Sequence, residues 1–164
     1  MFFVTGLPRS RTYWMSVYLT TPQSFCYHDA IGICPTRSAF YTLLECPKTE
    51  IGNSDCGLFA TDFQQRWPDA PTVIIQREPL EVLRSLAHQG LELQGDLPEL
   101  MARSLDGLQG LRVDFNDLND RIQEIHEYLI PSVPFDRKRA EKLIALNLQS
   151  PLSSGYNSYI LEWV

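Results

Sequence analysis

No stretch of this chain approaches the ~20 consecutive apolar residues that a membrane-spanning helix needs. The apolar start is short and is cut by Arg9 and Arg11, so no leader peptide is expected and the expected location is cytoplasmic. No two of the four cysteines (Cys26, Cys34, Cys46 and Cys56) have the spacing of a zinc knuckle or a redox pair. Buried free thiols are therefore the expectation. There is no excess of positive charge either: the net charge is −6, which argues against DNA or RNA as a partner. No repeat, low-complexity tract or linker interrupts the 164 residues, a length that fits one domain spanning 1–164.

The charge that is present is unevenly placed. Residues 1–48 carry four bases (Arg9, Arg11, Arg37, Lys48) against two acids (Asp29, Glu45), a net +2. The remainder carries ten bases against eighteen acids, a net −8. Positive charge thus gathers at the Gly-bearing N-terminus, where an anionic ligand would want it.

The apolar pattern alternates between two periods. Phe2 to Thr5 is a short β-favouring run that ends at Gly6 and reads as a buried strand. Residues 12–19 read as a helix, 24–27 as a second strand and 36–44 as a helix. Residues 46–56 look turn-rich, and a helix is expected from Leu58 to Trp67, stopped at Pro68. Thr72 to Gln76 is the clearest strand, apolar on both faces as in the middle of a parallel sheet. Pro79 suits the first turn of a helix running to about Gln89. Further helices are expected over 98–108, 120–129 and 137–146, with a strand at 111–115. The tail from Gln149 has no assignable pattern. Strands alternating with helices imply an α/β fold of three layers, a parallel sheet with helices on both faces.

Strand, Gly-bearing loop and helix are the physical recipe for holding a phosphate or sulfate. Loop N–H groups turn inward, and the helix start adds unpaired donors and a partial positive charge. Arg9 can add a forked, charge-assisted contact, and Thr12 can cap the helix or bond an oxygen. The loop is not a Walker A motif. Counted from Gly6, the second glycine should fall at Arg11 and the lysine at Thr12.

Pro8-Arg9-Ser10-Arg11-Thr12-Tyr13-Trp14 resembles the 5′-phosphosulfate loop of sulfotransferases, usually Pro-Lys-Ser-Gly-Thr-Thr-Trp. With Gly6 and Leu7 it is similar to the tyrosylprotein branch, which has arginine in place of lysine. The resemblance implies a P-loop NTPase-like, sulfotransferase-like fold. It also implies that Ser10 to Tyr13 hold the sulfonate-bearing phosphate, that Arg9 neutralises the bridging oxygen, and that Trp14 lies against adenine. A second match follows. Arg77-Glu78-Pro79, with Ser85 eight residues after Arg77, resembles the family's 3′-phosphate segment, Arg-x-Pro-x-Asp-x-x-x-Ser. It sits at a strand's carboxyl end, where open α/β sheets bind ligands. Trp67-Pro68-Asp69-Ala70 is similar to the family's entry to this strand, and residues 112–118 to its late Tyr-Glu-Asp-Leu segment, with Asn116 in place of the glutamate.

The implied co-substrate is 3′-phosphoadenosine-5′-phosphosulfate, the partner an unidentified hydroxyl or amine acceptor, and no metal is required. A base must take the acceptor's proton. His28 and Asp29 follow the second strand. The tyrosylprotein branch has a glutamate base near this distance, which a one-residue gap brings onto Asp29, whereas His28 has the better-suited ordinary pKa. His88 and His126 read as surface or packing residues. The chain departs from the family at Arg11, which replaces a loop glycine. The family's C-terminal Gly-rich loop is not recognisable here; Arg137-Lys138-Arg139 can supply its charge or equally form an exposed helix start. The competing readings are a P-loop small-molecule kinase and a non-catalytic nucleotide-binding module.

Overall fold

The computed structural model describes residues 1–45, 50–91 and 97–146, so Cys46 and the tail from Gln149 lie outside the described residues. Among the described residues, five strands form one sheet: β1 (Phe2–Gly6), β2 (Ser24–His28), β3 (Glu50–Ser54), β4 (Thr72–Gln76) and β5 (Leu111–Asp114). Their order is β2-β3-β1-β4-β5, and every neighbouring pair is parallel. Parallel neighbours need crossovers, and eight α-helices among the described residues supply them or pack on the sheet. They are α1 (Thr12–Leu19), α2 (Ala30–Ile33), α3 (Arg37–Leu44), α4 (Phe63–Arg66), α5 (Pro79–Ala87), α6 (Leu97–Asp106), α7 (Ile122–Leu129) and α8 (Arg137–Ile144).

Strand side chains alternate between faces, so each central strand feeds two cores. Phe2, Val4, Val73, Ile75 and Val113 pack with α1, α7 and α8. Phe3 and Ile51 pack with α2, α3 and α4, and Ile74 packs with α5 and α6. The expected three-layer α/β architecture is the one observed.

Residues 50–54 were expected to be turn-rich and are instead β3, the neighbour of β1. Gly, Asn and Ser read as turn formers locally, but here Gly52 and Ser54 each answer a tertiary demand. A Cβ at Gly52 would lie 2.0 Å from the Phe2 ring, so the strands meet only over a glycine. Ser54 Oγ donates to the Thr12 carbonyl at 2.7 Å and ties β3 to the start of α1. The helix expected over 58–67 is two short pieces, a 3-10 turn at Leu58–Ala60 and α4.

The chain leaves β1 towards β2 and β3 on one side, then crosses to β4 and β5 on the other. Loops after β1 and β4 therefore diverge and leave a crevice at their carboxyl ends, the place where open α/β sheets take ligands.

Candidate active site

The crevice is floored by the turn after β1. Ser10 N–H donates to the Leu7 carbonyl at 3.1 Å and closes the turn. Arg9 (φ 66°) and Arg11 (φ 63°) both take the left-handed conformation that side chains rarely adopt. Left-handed residues within such a turn are the kind of backbone that can turn N–H groups toward an anion. The first internal bond of α1 runs from Met15 N–H to the Arg11 carbonyl at 2.9 Å. The N–H groups of Thr12, Tyr13 and Trp14 thus have no intrahelical acceptor. Ser10 is fully buried, and its Oγ has no hydrogen-bond partner among the described residues. A buried hydroxyl without a partner is costly, and an anion oxygen would relieve it.

Arg77 emerges from β4 beside this turn. Its Nη1 donates to the Arg9 carbonyl, so the two sequence-predicted motifs touch. The guanidinium also lies over the Phe115 ring, 4.0 Å from its centroid, and its Nε is 3.7 Å from Glu81 of α5. Ser85 stands one helical turn beyond Glu81 and is half-buried. Arg11 Nη1 donates to Asn119 Oδ1 at 2.6 Å, and its guanidinium is 5.5 Å from the Trp14 ring centroid. Burial lowers the pKa of Arg9, and the like charge of Arg77 lowers it further. Burial also lowers that of Arg11. Guanidiniums crowded at a partly buried turn raise the local potential and favour a multiply charged anion.

His28 and Asp29 reach the same turn from β2. His28 Nε2 is 3.5 Å from Thr12 Oγ1, Nδ1 is 3.1 Å from Asp29 Oδ2, and the Tyr13 ring meets the imidazole edge-on at 5.1 Å. Burial pushes the His28 pKa down to about 4, so the ring is neutral at pH 7. A carboxylate only accepts, so the ring proton sits on Nδ1 and the Nε2 lone pair faces the Thr12 hydroxyl. Asp29 itself is left-handed (φ 53°) and opens α2.

Asp55, absent from the residues singled out by motif, supports this corner. It is fully buried. Its Oδ2 accepts from Ile31 N–H at 3.2 Å and its Oδ1 from Gly57 N–H at 2.7 Å. It thereby fixes the turn that carries Asp29. Its signal was masked because it stands among turn-forming neighbours, where an aspartate reads as one more loop residue.

Other expected roles change. Trp14, implied as a platform for adenine, is 2% exposed, stacks on Tyr18 with centroids 5.3 Å apart, and donates Nε1–H to the Leu143 carbonyl at 2.8 Å. It is a core residue, because α1 turns that face toward α8. Within Arg137-Lys138-Arg139, Arg139 donates to the carbonyls of Val17, Tyr18 and Thr20. It caps the far end of α1 and is not phosphate charge. His126 is buried between Tyr18 Oη at 3.1 Å and the Val133 carbonyl at 2.7 Å, whereas His88 is exposed.

No protein-family model matches the sequence, and no curated protein matches it. Solved structures do match the fold. A sulfotransferase from Alicyclobacillus acidocaldarius aligns over 88% of this chain and 89% of its own, with a TM-score of 0.56 and 14% identity. Mouse sulfotransferase SULT7A1, complexed with PAP, aligns over 87% of this chain at a TM-score of 0.53 and 14% identity. The match spans 61% of the length of that mouse chain. The five-stranded parallel sheet with helices on both faces is the fold of these sulfotransferases.

Proposed function

We propose that this chain is a sulfotransferase that binds 3′-phosphoadenosine-5′-phosphosulfate and moves its sulfonate to a hydroxyl or amine acceptor. The observation that carries the reading is the bond from Arg77 to the Arg9 carbonyl. It joins two anion-binding segments 68 positions apart at one end of the sheet. A ligand with charge at both ends of a nucleoside would meet both. The residues fit its phosphates: the buried Ser10 hydroxyl lacks a partner among the described residues, and Arg9, Arg11 and Arg77 crowd around the turn. The mouse sulfotransferase complexed with PAP supports the choice of nucleotide.

In this reading Ser10 to Tyr13 hold the sulfonate-bearing phosphate through N–H groups, and Arg9 faces the charge that develops on the leaving oxygen. Arg77 and Ser85 take the second phosphate. The bound phosphosulfate supplies an activated S–O bond, which breaks as the acceptor oxygen or nitrogen bonds sulfur. His28 takes the acceptor's proton at Nε2, and Asp29 keeps the ring in the tautomer with an unprotonated Nε2, whose long contact with the Thr12 hydroxyl gives way to the acceptor. Burial keeps the imidazole neutral, the form able to accept a proton, but it also takes the pKa below the ordinary value that favoured His28 in the sequence, making it a weaker base than a free histidine.

Calorimetry tests the reading. Heat of binding with 3′-phosphoadenosine-5′-phosphate in the presence of EDTA is expected. Binding of magnesium-ATP with no response to that nucleotide would instead make the chain a P-loop kinase. Sulfonate transfer to no member of a broad acceptor panel, with nucleotide binding intact, would make it a binding module.

A further inference from the structure

The turn between β5 and α7 touches the site twice. Phe115 lies under the Arg77 guanidinium at 4.0 Å, and Asn119 accepts from Arg11 at 2.6 Å. The turn is itself firmly held. Asp114 Oδ1 accepts from Asn116 N–H at 2.8 Å, Leu118 is 1% exposed in the core, and Arg121 N–H donates to the Asp117 carbonyl at 2.9 Å.

The chemistry of the two contacts is the informative part. A guanidinium is most simply anchored by a carboxylate, but a carboxylate cancels the charge that an anion needs. Here the anchors are an amide oxygen and an aromatic ring, which fix the side chain and leave its charge in place. No salt bridge among the described residues involves Arg11. The one carboxylate on Arg77, that of Glu81, is 3.7 Å away and 49% exposed, so water screens it. Arginine side chains carry much rotamer entropy, and fixing them in advance spares the ligand that cost.

We infer that Phe115 and Asn119 are positioning residues that hold Arg77 and Arg11 ready for an anion without neutralising them. The inference rests on the reading of the crevice as an anion site and extends it to a wall that neither motif contains. It explains why Arg11 is tolerated in the left-handed conformation: its side chain is held at the far end by Asn119.

Titration calorimetry with two probes, 3′-phosphoadenosine-5′-phosphate and inorganic pyrophosphate, tests it, with urea unfolding of each variant alongside. Asn119→Asp is expected to bind both probes at least about tenfold more weakly, since it neutralises Arg11 while keeping it anchored. Asn119→Ala and Phe115→Leu are expected to lose roughly three- to tenfold through disorder of the arginines, and Phe115→Tyr to stay within about twofold of wild type. The Nε–H resonances of Arg11 and Arg77 should be sharp in wild type. They should broaden in Asn119→Ala and Phe115→Leu respectively, a change that a purely structural role would not produce. If every variant binds both probes as wild type does, the inference falls and the sulfotransferase reading stands. If wild type takes pyrophosphate but not the nucleotide, that reading falls and the inference is judged on pyrophosphate alone. Binding of neither probe overturns both.

Discussion

Replacing His28 by Gln removes one titrating group and keeps a side chain of similar reach. In the folded chain the His28 pKa is held at about 4 by burial, against an ordinary value of 6.5. Between those values the unfolded chain binds a proton that the folded chain refuses, so stability falls as pH falls. Integrating over one site with these two constants gives a penalty of about 0.2 kcal/mol at pH 7 and about 2 kcal/mol at pH 5. Wild type should therefore lose about 2 kcal/mol more than His28→Gln on going from pH 7 to pH 5. Urea unfolding followed by tryptophan fluorescence reads this directly. With a slope of roughly 1–3 kcal/mol per molar urea, the two midpoints should converge or cross by about 1 M. Effects of His88 and His126 are common to both proteins and cancel. Parallel pH dependences would mean that His28 is not a buried neutral ring, and its assignment as the base would go with it.

Three further outcomes follow from other contacts. Arg77→Met should weaken binding of 3′-phosphoadenosine-5′-phosphate by about 1.5–3 kcal/mol, roughly ten- to 150-fold by calorimetry, and an unchanged affinity would remove Arg77 from the site. Gly52→Ala should lower stability by about 1–3 kcal/mol or more, seen as a fall in Tm, because the new Cβ would sit 2.0 Å from the Phe2 ring. Arg139→Ala should cost about 1–3 kcal/mol in urea by leaving the carbonyls of Val17, Tyr18 and Thr20 without a donor. Its folded form should bind nucleotide like wild type, and a large loss of affinity would return Arg139 to the site.

Elements whose signal is local were legible in the sequence. The run Phe2 to Thr5 is apolar and β-favouring by itself, Thr72 to Gln76 more so, and Pro79 marks the start of α5. β3 was not legible, because Gly52 and Ser54 answer what they meet in the fold, the Phe2 ring and the start of α1, and tertiary contacts override local propensity in strands. The same distinction divides the proposed site. Arg9, Ser10 and Arg77 announce themselves through spacing within short motifs. Asp55, Phe115 and Asn119 act through contacts with residues 24, 38 and 108 positions away, which no local pattern encodes. Trp14 went the other way: its motif position implied a ligand, but α8 covers it, and where α8 docks is not written in the loop.

The middle strand of the sheet is the first to be synthesised. Phe2 must wait for Gly52, and Phe3 for Thr72, before β1 has a neighbour on either flank. At roughly 5–20 residues per second, that leaves a strongly apolar segment without its partners for about 4–15 s on the ribosome. During that interval nothing shapes the turn after β1, and the nascent chain presents a sticky ribbon of phenylalanines to its surroundings. Slowed elongation between β1 and β4 should thus lower the yield of native protein more than an equal delay placed after Gln76.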